Sequence, residues 1–421
     1  MRVILALAPI ALLAACGFNG TDRYAEEGQT SEAQADSNLA DAMHSRDGET
    51  IENDIPDSEE RPMMQAQVVL DRRGFGPGVI DGKMGMSTRN ALEGFQEATG
   101  LTATGELDEA TTQALGEWKD IPATRVVTIP EDWGDYNYQK MPEDPADKAA
   151  LDKLGYETLD ERLAERFHTT VEVLKMLNPN GRPAGAPAAE LDGGVTTTPT
   201  ATASAASTPA ARATASASPT ASPTAGATGD AKAAALAEAP TSVFRPGQQI
   251  RVPNIGGDAI AEGSVADDNW QRTLVELGVG SEQPEVAKVI VSKSKGTLRA
   301  YDADDKLIAL FTVTSGSSKF PLPLGNWNIV GKAFNPPYSY DPEVLGKNGT
   351  DGKTHQFPAG PNSPVGVVWI DLSKEHYGIH GTPAPETIGR AESSGCVRLT
   401  NWDAARLAQM VSTKTKVEFI A

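Results

Sequence analysis

The chain has 421 residues, with 57 Asp and Glu against 37 Lys and Arg for a net charge of -20, and it is 39% hydrophobic and 6% aromatic. Its length suits two to four domains at roughly 100 to 200 residues each. An apolar share below the usual ~45 to 50% means that part of the chain joins no core. The acidity excludes a general nucleic-acid binder, which needs a basic footprint. Two cysteines, Cys16 and Cys396, exclude a fold stapled by several disulfides.

Arg2 precedes an apolar run from Val3 to Ala15. That run falls short of the ~20 residues of a transmembrane helix but suits a secretory signal peptide, residues 1–15. It ends in Leu13-Ala14-Ala15-Cys16-Gly17, which resembles the lipobox of bacterial lipoproteins; the alternative is an ordinary signal peptide with an accidental cysteine. The resemblance implies a lipid on Cys16, a membrane partner through that anchor, and, with Gly17 rather than Asp next, an outer-membrane destination within the periplasm. Cys396 is then left as an unpaired thiol. Residues 16–60 carry 13 Asp and Glu against 2 Arg, a net of -11, with few large apolar side chains. Such a segment cannot offset its ordering entropy and is expected to be a disordered tether.

From Pro62 to Leu115 the pattern is helical, with Met64, Val68, Val69 and Leu70, then Thr88, Leu92, Phe95 and Gln96, then Leu107 to Leu115, and glycines between. The segments Gly78-Val79-Ile80-Asp81-Gly82, Thr88-Arg89-Asn90-Ala91-Leu92 and Phe95-Gln96 resemble a three-helix peptidoglycan-binding domain over 61–118; the alternative is an unrelated helical bundle. A connector follows at 119–150. Residues 155–179 read as a helical pair, and Phe244 to Pro253 as a turn and short strand. Together 151–182 and 241–255 resemble a LysM glycan-binding unit split by an insertion, although its opening strand is poor. The insertion, 183–240, is Ala, Thr, Ser and Pro-rich, the composition of an unstructured linker. A second connector spans 256–285.

The domain 286–421 carries 15 Lys and Arg against 12 Asp and Glu, or +3, so the acidity lies elsewhere. Period-2 apolar runs at Val289-Ile290-Val291, Leu298 to Tyr301, Leu307 to Phe311, Trp327 to Val330, Val367 to Ile370 and Val417 to Ile420 predict a mostly-β fold. One helix is predicted after Thr400, where Thr400-Asn401-Trp402-Asp403 resembles a capping box. The stretch Gly331 to Asn362 reads as a long irregular loop of the kind that often forms a binding lid. Asp302 to Asp305 reads as a hairpin turn, and Ser292-Lys293-Ser294-Lys295 as a chance match at a strand end to the Ser-x-x-Lys motif.

Chemistry concentrates at Tyr377-Gly378-Ile379-His380-Gly381-Thr382 and Ser393-Ser394-Gly395-Cys396-Val397-Arg398. An exported cysteine without a disulfide partner is a candidate nucleophile when a histidine can reach it. A neighbouring imidazolium would lower the thiol pKa and return a proton to the leaving amine. Gly395 permits a tight turn, and amides around Gly395 and Cys396 are candidates for an oxyanion hole. No spacing of histidines and acids suggests a metal site.

These segments resemble the YkuD-type L,D-transpeptidase catalytic domain, and Pro323 to Trp327, Asn335 to Tyr338 and Gly360 to Gly366 extend the likeness over 286–421. The fold class implied is a multidomain chain: a mostly-β, sandwich-like catalytic domain with one main helix, beside a small all-α peptidoglycan-binding domain and disordered linkers. The resemblance makes Cys396 the nucleophile, His380 the general base and acid, and Gly381 the residue whose carbonyl orients the imidazole. Arg398 would order the site or meet a substrate carboxylate. Tyr338 and Trp327 would line the donor groove or serve packing alone. Ser394 stands where the family usually has a second histidine, which puts rate and pH dependence in question. The implied partner is peptidoglycan, with no cofactor and no nucleic acid. The implied reaction is acyl transfer from a stem peptide through a cysteine thioester to a second stem, or to an outer-membrane protein. Water as acceptor would make a carboxypeptidase, and a dead site would leave a non-catalytic wall-binding lipoprotein.

Overall fold

A computed structural model describes residues 55–187, 241–256, 265–342 and 352–421. The signal peptide, Cys16, most of the tether and residues 188–240 of the insertion lie outside the described residues. The first unit holds α1 (Pro62–Arg72), β1 (Phe75–Gly76), α2 (Met86–Ala98) and α3 (Glu109–Leu115). Its helices bury Met64, Val68, Val69 and Leu70 and then Ala91, Leu92 and Phe95, as their spacing dictates. The polar positions of the same stripes are used too. Gln96 donates to Thr104, Thr111 and the Glu106 carbonyl, fixing the loop into α3. That helix is capped by the Asp108 carboxylate, which accepts from Thr111 N–H at 2.8 Å.

The second unit pairs β2 (Thr124–Thr128) antiparallel with β3 (Gln249–Pro253). Between them in sequence come α4 (Pro145–Ala149), α5 (Leu159–Arg166) and α6 (Val171–Leu177). Strand β2 lies inside the segment 119–150 expected to be a connector. The two strands and two helices bury Ile250, Val252, Leu163, Phe167, Leu174 and Leu177 in one cluster with Trp133 and Phe244. Residues 256–285 also hold more than a connector. They form α7 (Asp268–Leu277), amphipathic and N-capped by Asp267, which puts Trp270, Leu274 and Leu277 into the core of the C-terminal domain.

That domain comprises β4 (Lys288–Ser292), β5 (Thr297–Tyr301), β6 (Leu307–Thr312), β7 (Thr314–Ser315), β8 (Gly325–Phe334), β9 (Tyr338–Tyr340), β10 (His355–Phe357), β11 (Val368–Leu372), β12 (Gly378–His380) and β13 (Val397–Arg398). It closes with α8 (Asn401–Met410) and β14 (Lys416–Ile420). Among the described residues one ten-stranded sheet runs β1-β6-β5-β4-β14-β8-β11-β12-β13-β7. The long strand β8 pairs with β14 through Gly325 to Asn328 and with β11 through Ile329 to Phe334. It therefore joins two halves of the sheet, a device by which strands turn sandwich corners. Helices α7 and α8 complete the core, with Trp402, Ala405 and Leu407 buried. The stretch 331–362 is less irregular than its sequence suggests: β9 and β10 pair as a hairpin, with Tyr340 stacked on Phe357 and both packed on Leu154.

The helical units are welded to this domain. Strand β1 adds in parallel to the outer edge of β6, Phe75 opposite Leu310, so a short helical-domain segment covers an otherwise open sheet edge. Gly94 lets α2 lie directly on that strand, since a β-carbon there would stand 2.9 Å from the Leu310 side chain. Deeper in the junction Asp71 of α1 is fully buried. It accepts from Arg406 of α8 at 3.2 Å and faces Nδ1 of His168 at 3.3 Å. His168 in turn stacks on Trp402 at 4.8 Å and meets the Leu277 carbonyl through Nε2 at 2.8 Å. The Arg406 guanidinium and the His168 ring beside it hold the Asp71 carboxyl well below the usual carboxylate range despite its burial. One carboxylate thus pins three units together.

Candidate active site

Strand β12 lies between β11 and β13, antiparallel to the first and parallel to the second, with Ile379 opposite Val397 and His380 opposite Arg398. Side chains alternate faces along a strand and directly opposed residues share one. The register therefore sets His380 and Arg398 on a single face, and Cys396, just before β13, lies near Arg398 and the Gly378 amide. Gly378 lies on that face too and has no side chain. A β-carbon there would stand 2.5 Å from the Trp369 indole. That indole stacks on the His380 ring at 5.4 Å, so Gly378 makes room for the ring that backs the imidazole.

His380 is buried, and its Nδ1 lies 2.7 Å from the Gly381 carbonyl. A carbonyl only accepts, so Nδ1 carries the proton and Nε2 keeps its lone pair for chemistry. Burial, aided by the Arg398 charge, pushes the imidazole pKa down to about 3. Burial also pushes the Cys396 thiol up from its ordinary 9.0, opposed by the Gly378 backbone amide and by Arg398. Thiol and imidazole are thus both neutral at rest. This differs from the sequence expectation of an imidazolium lowering the thiol pKa: a deep site penalises both charged forms.

The loop before Cys396 is held by Ser393, which the sequence reading did not single out. Its buried Oγ accepts from Gly316 N–H at 2.6 Å and from Gly395 N–H at 3.2 Å, and donates to the Cys396 carbonyl at 2.6 Å. The Gly395 amide is consequently committed to Ser393, a correction to its expected place in an oxyanion hole. Gly395 itself has φ +103°, and a β-carbon there would meet the Tyr377 ring at 2.6 Å, so only glycine fits. The Cys396 sulfur approaches the His376 carbonyl at 3.7 Å.

Of the other sequence candidates, Tyr338 is brought in by the β9–β10 hairpin. Its phenol pKa is raised by burial and by the nearby Cys396, and lowered by Arg398. Arg398 has no carboxylate within ion-pairing distance among the described residues. Its NH1 reaches only the Glu392 carbonyl at 3.5 Å, and its buried Nε has no acceptor. Ser394 is exposed and forms no hydrogen bond among the described residues. Trp327 is not gathered with these groups: it sits where β8 pairs with β14, packed against the core and donating to the Pro323 carbonyl at 2.9 Å. Trp369 and Ser393 were legible only as a core strand residue and a motif neighbour. Their roles come from partners distant in the chain.

Residues 287–419 match the model of the L,D-transpeptidase catalytic domain, and residues 60–115 match that of a peptidoglycan binding domain. A curated relative named as the L,D-transpeptidase YkuD, from Bacillus licheniformis, is 28% identical over 165 residues, covering 39% of this chain and 79% of its own length. Another, named as the L,D-transpeptidase YqjB, from Bacillus subtilis, is 31% identical over 134 residues, covering 31% of this chain and 68% of its own. Among solved structures, L,D-transpeptidase 3 from Mycobacterium tuberculosis, in complex with a faropenem-derived adduct, aligns with 17% identity and a TM-score of 0.27. That alignment covers 34% of this chain and 62% of that one.

Proposed function

The chain belongs to the L,D-transpeptidase family, and on that premise we propose that it exchanges acyl groups on peptidoglycan stem peptides in the cell envelope, with Cys396 as nucleophile. In the first step the thiol proton passes to Nε2 of His380 as sulfur attacks the carbonyl before the terminal D-alanine of a tetrapeptide stem. The C–S bond forms, the C–N bond breaks, and His380 delivers the proton to the departing amine. In the second step an amine of another stem attacks the thioester. The new C–N bond forms, the C–S bond breaks, and the amine proton returns to sulfur through the same imidazole. Conserving the acyl bond energy in the thioester dispenses with ATP outside the cytoplasm.

The observation that supports this reading is the 2.7 Å contact of His380 Nδ1 with the Gly381 carbonyl, which leaves Nε2 as acceptor, with Arg398 close to both His380 and Cys396. Arg398, with an unpaired buried Nε, suits a carboxylate of the stem peptide through its forked donors. Tyr338 borders the donor groove. The exposed Ser394 hydrogen-bonds to none of these groups among the described residues, so its departure from the family pattern is compatible with turnover. The N-terminal reading extends the proposal: a lipid on Cys16 anchors the chain to the outer membrane, and the helical unit at 61–118 engages the wall.

The test incubates the protein with tetrapeptide-bearing wall fragments and follows D-alanine release and the mass of the Cys396 peptide. An acyl adduct on Cys396, absent in Cys396→Ala, is expected. Ordinary wall binding with D-alanine retained and no adduct would favour a binding lipoprotein instead, and release without cross-links would assign a carboxypeptidase.

A further inference from the structure

The carbonyl that fixes His380 is itself held from outside the catalytic domain. Asn401, the first residue of α8, is fully buried. Its amide Nδ2 donates to the Pro361 carbonyl at 3.1 Å and to Glu165 Oε1 of α5 at 2.7 Å. Its Oδ1 lies against two glycines: a β-carbon at either Gly366 or Gly381 would collide with it. Gly366, Gly381 and Asn401 are therefore in contact without a gap, and Gly381 is the residue whose carbonyl accepts the hydrogen bond from His380 Nδ1.

Glu165 lies some 236 positions from Asn401 in sequence, at the end of a helix in the second unit. It is buried and also takes a hydrogen bond from the Tyr156 hydroxyl. The same seam is stitched by further contacts around it. Asn362 donates to Glu161 Oε1 and to the Gly155 carbonyl, each at 2.8 Å, and Leu154 N–H donates to the Ala359 carbonyl at 2.9 Å. A cleft of about 230 Å³ opens along it between α5, Asn362 and Pro383 to Glu386, immediately after the His380-Gly381-Thr382 turn.

We propose that Glu165 and Asn401 are positioning residues for His380, so that the helical unit around α5 is a working part of the active site rather than only a wall-binding appendage. The line of force is short. Glu165 fixes the Asn401 amide, Asn401 fixes Gly381 against Gly366, and the Gly381 carbonyl fixes the imidazole's tautomer and aim. Shifts of about 1 Å in a reacting group lower rates by up to ~100-fold, and the links here are a 2.7 Å hydrogen bond, the close packing of Oδ1 on Gly381, and a second 2.7 Å hydrogen bond to the imidazole. The pair act through Gly381 and touch neither substrate nor sulfur.

This inference rests on His380 being the base, and the experiment separates the two. In the full-length protein, Glu165→Ala and Asn401→Ala are compared with His380→Ala for D-alanine release from a disaccharide-tetrapeptide. The readouts are kcat and KM separately, the ¹⁵N shifts of the His380 ring, and the alkylation rate of Cys396. The expected result is a 10- to 100-fold fall in kcat with KM within threefold and alkylation unchanged, together with ring shifts moving off the Nδ1-protonated pattern. Glu165→Gln, which keeps the acceptor oxygen and the length, should restore kcat to within about threefold. Glu165→Asp, one methylene shorter, should not. That conservative pair also decides the matter if the alanine variants fail to fold. A kcat within twofold of the parent in folded Glu165→Ala, or equal rates in Glu165→Gln and Glu165→Asp, overturns the proposal. An active His380→Ala would instead overturn the assignment of the base.

Discussion

Alkylation of Cys396 across pH distinguishes a thiol activated during attack from a thiolate held ready by an imidazolium. A thiol at the ordinary 9.0 is about 1% ionised at pH 7, and burial raises Cys396 further, so its thiolate fraction there is below about 1%. His380, pushed down to about 3, is protonated in roughly one molecule in ten thousand at the same pH. No imidazolium is then present to lose. The rate of iodoacetamide capture, read by mass spectrometry of the Cys396 peptide, should climb about tenfold per pH unit from 6 to 9 without a plateau. His380→Ala should leave that profile within about threefold while lowering D-alanine release by at least ~100-fold, the usual contribution of a general base. A plateau below pH 7 that moves to alkaline pH in His380→Ala would mean a preformed ion pair and refute the neutral-pair reasoning.

Further outcomes follow from the same contacts. Asp71→Ala removes the buried carboxylate that Arg406 and His168 both face and should destabilise the protein by about 3 to 5 kcal/mol. Because β1 belongs to the shared sheet, denaturant unfolding of the parent between residues 61 and 421 should be one transition, and a separate early step for the helical unit would contradict the weld. Arg398→Lys keeps the charge but loses the fork, so it should raise KM for the tetrapeptide about tenfold and leave KM unchanged for a stem whose terminal carboxylate is amidated. For Glu165, burial raises the pKa from 4.5 to about 8, so between those values the folded state binds more protons than the unfolded one. Stability linked to this group therefore falls as pH rises through that window. Melting of Glu165→Gln should show a flatter decline from pH 5 to 8 than the parent. His380 contributes the opposite slope, stability rising between pH 3 and 6.5, and His380→Ala should remove it.

The residues proposed to react were legible because the chemistry demands a short list of types in a local pattern. His380-Gly381 and Gly395-Cys396-Val397-Arg398 stand in two segments that β12 and β13 place side by side, and the strand register follows from their alternation. The helices of the first unit were legible for a similar reason, since a stripe at 3.6 spacing dictates the face that is buried. Strand β2 was not, because Thr124 to Thr128 is short and acquires its partner β3 only across some 120 residues. Helix α7 was missed where charged residues masked its apolar face, and the β9–β10 hairpin where prolines and glycines dominate. The ionisation of the site also lay beyond sequence: Cys396 and His380 suggest an ion pair by residue type, and only depth of burial reverses it.

By itself the sequence singled out Cys396 and His380 as the pair proposed to react, the strand-rich character of the C-terminal domain and the presence of helical units before it. Those are properties of side-chain type and of periodicity along a few neighbouring residues. Tertiary structure alone decided that the units share one sheet, that Asp71 pins α1 to α8, and that Glu165 reaches the catalytic turn through Asn401. The reason is physical: a contact between residues hundreds of positions apart depends on where whole elements dock, and docking is set by burial summed over many side chains rather than by any local motif.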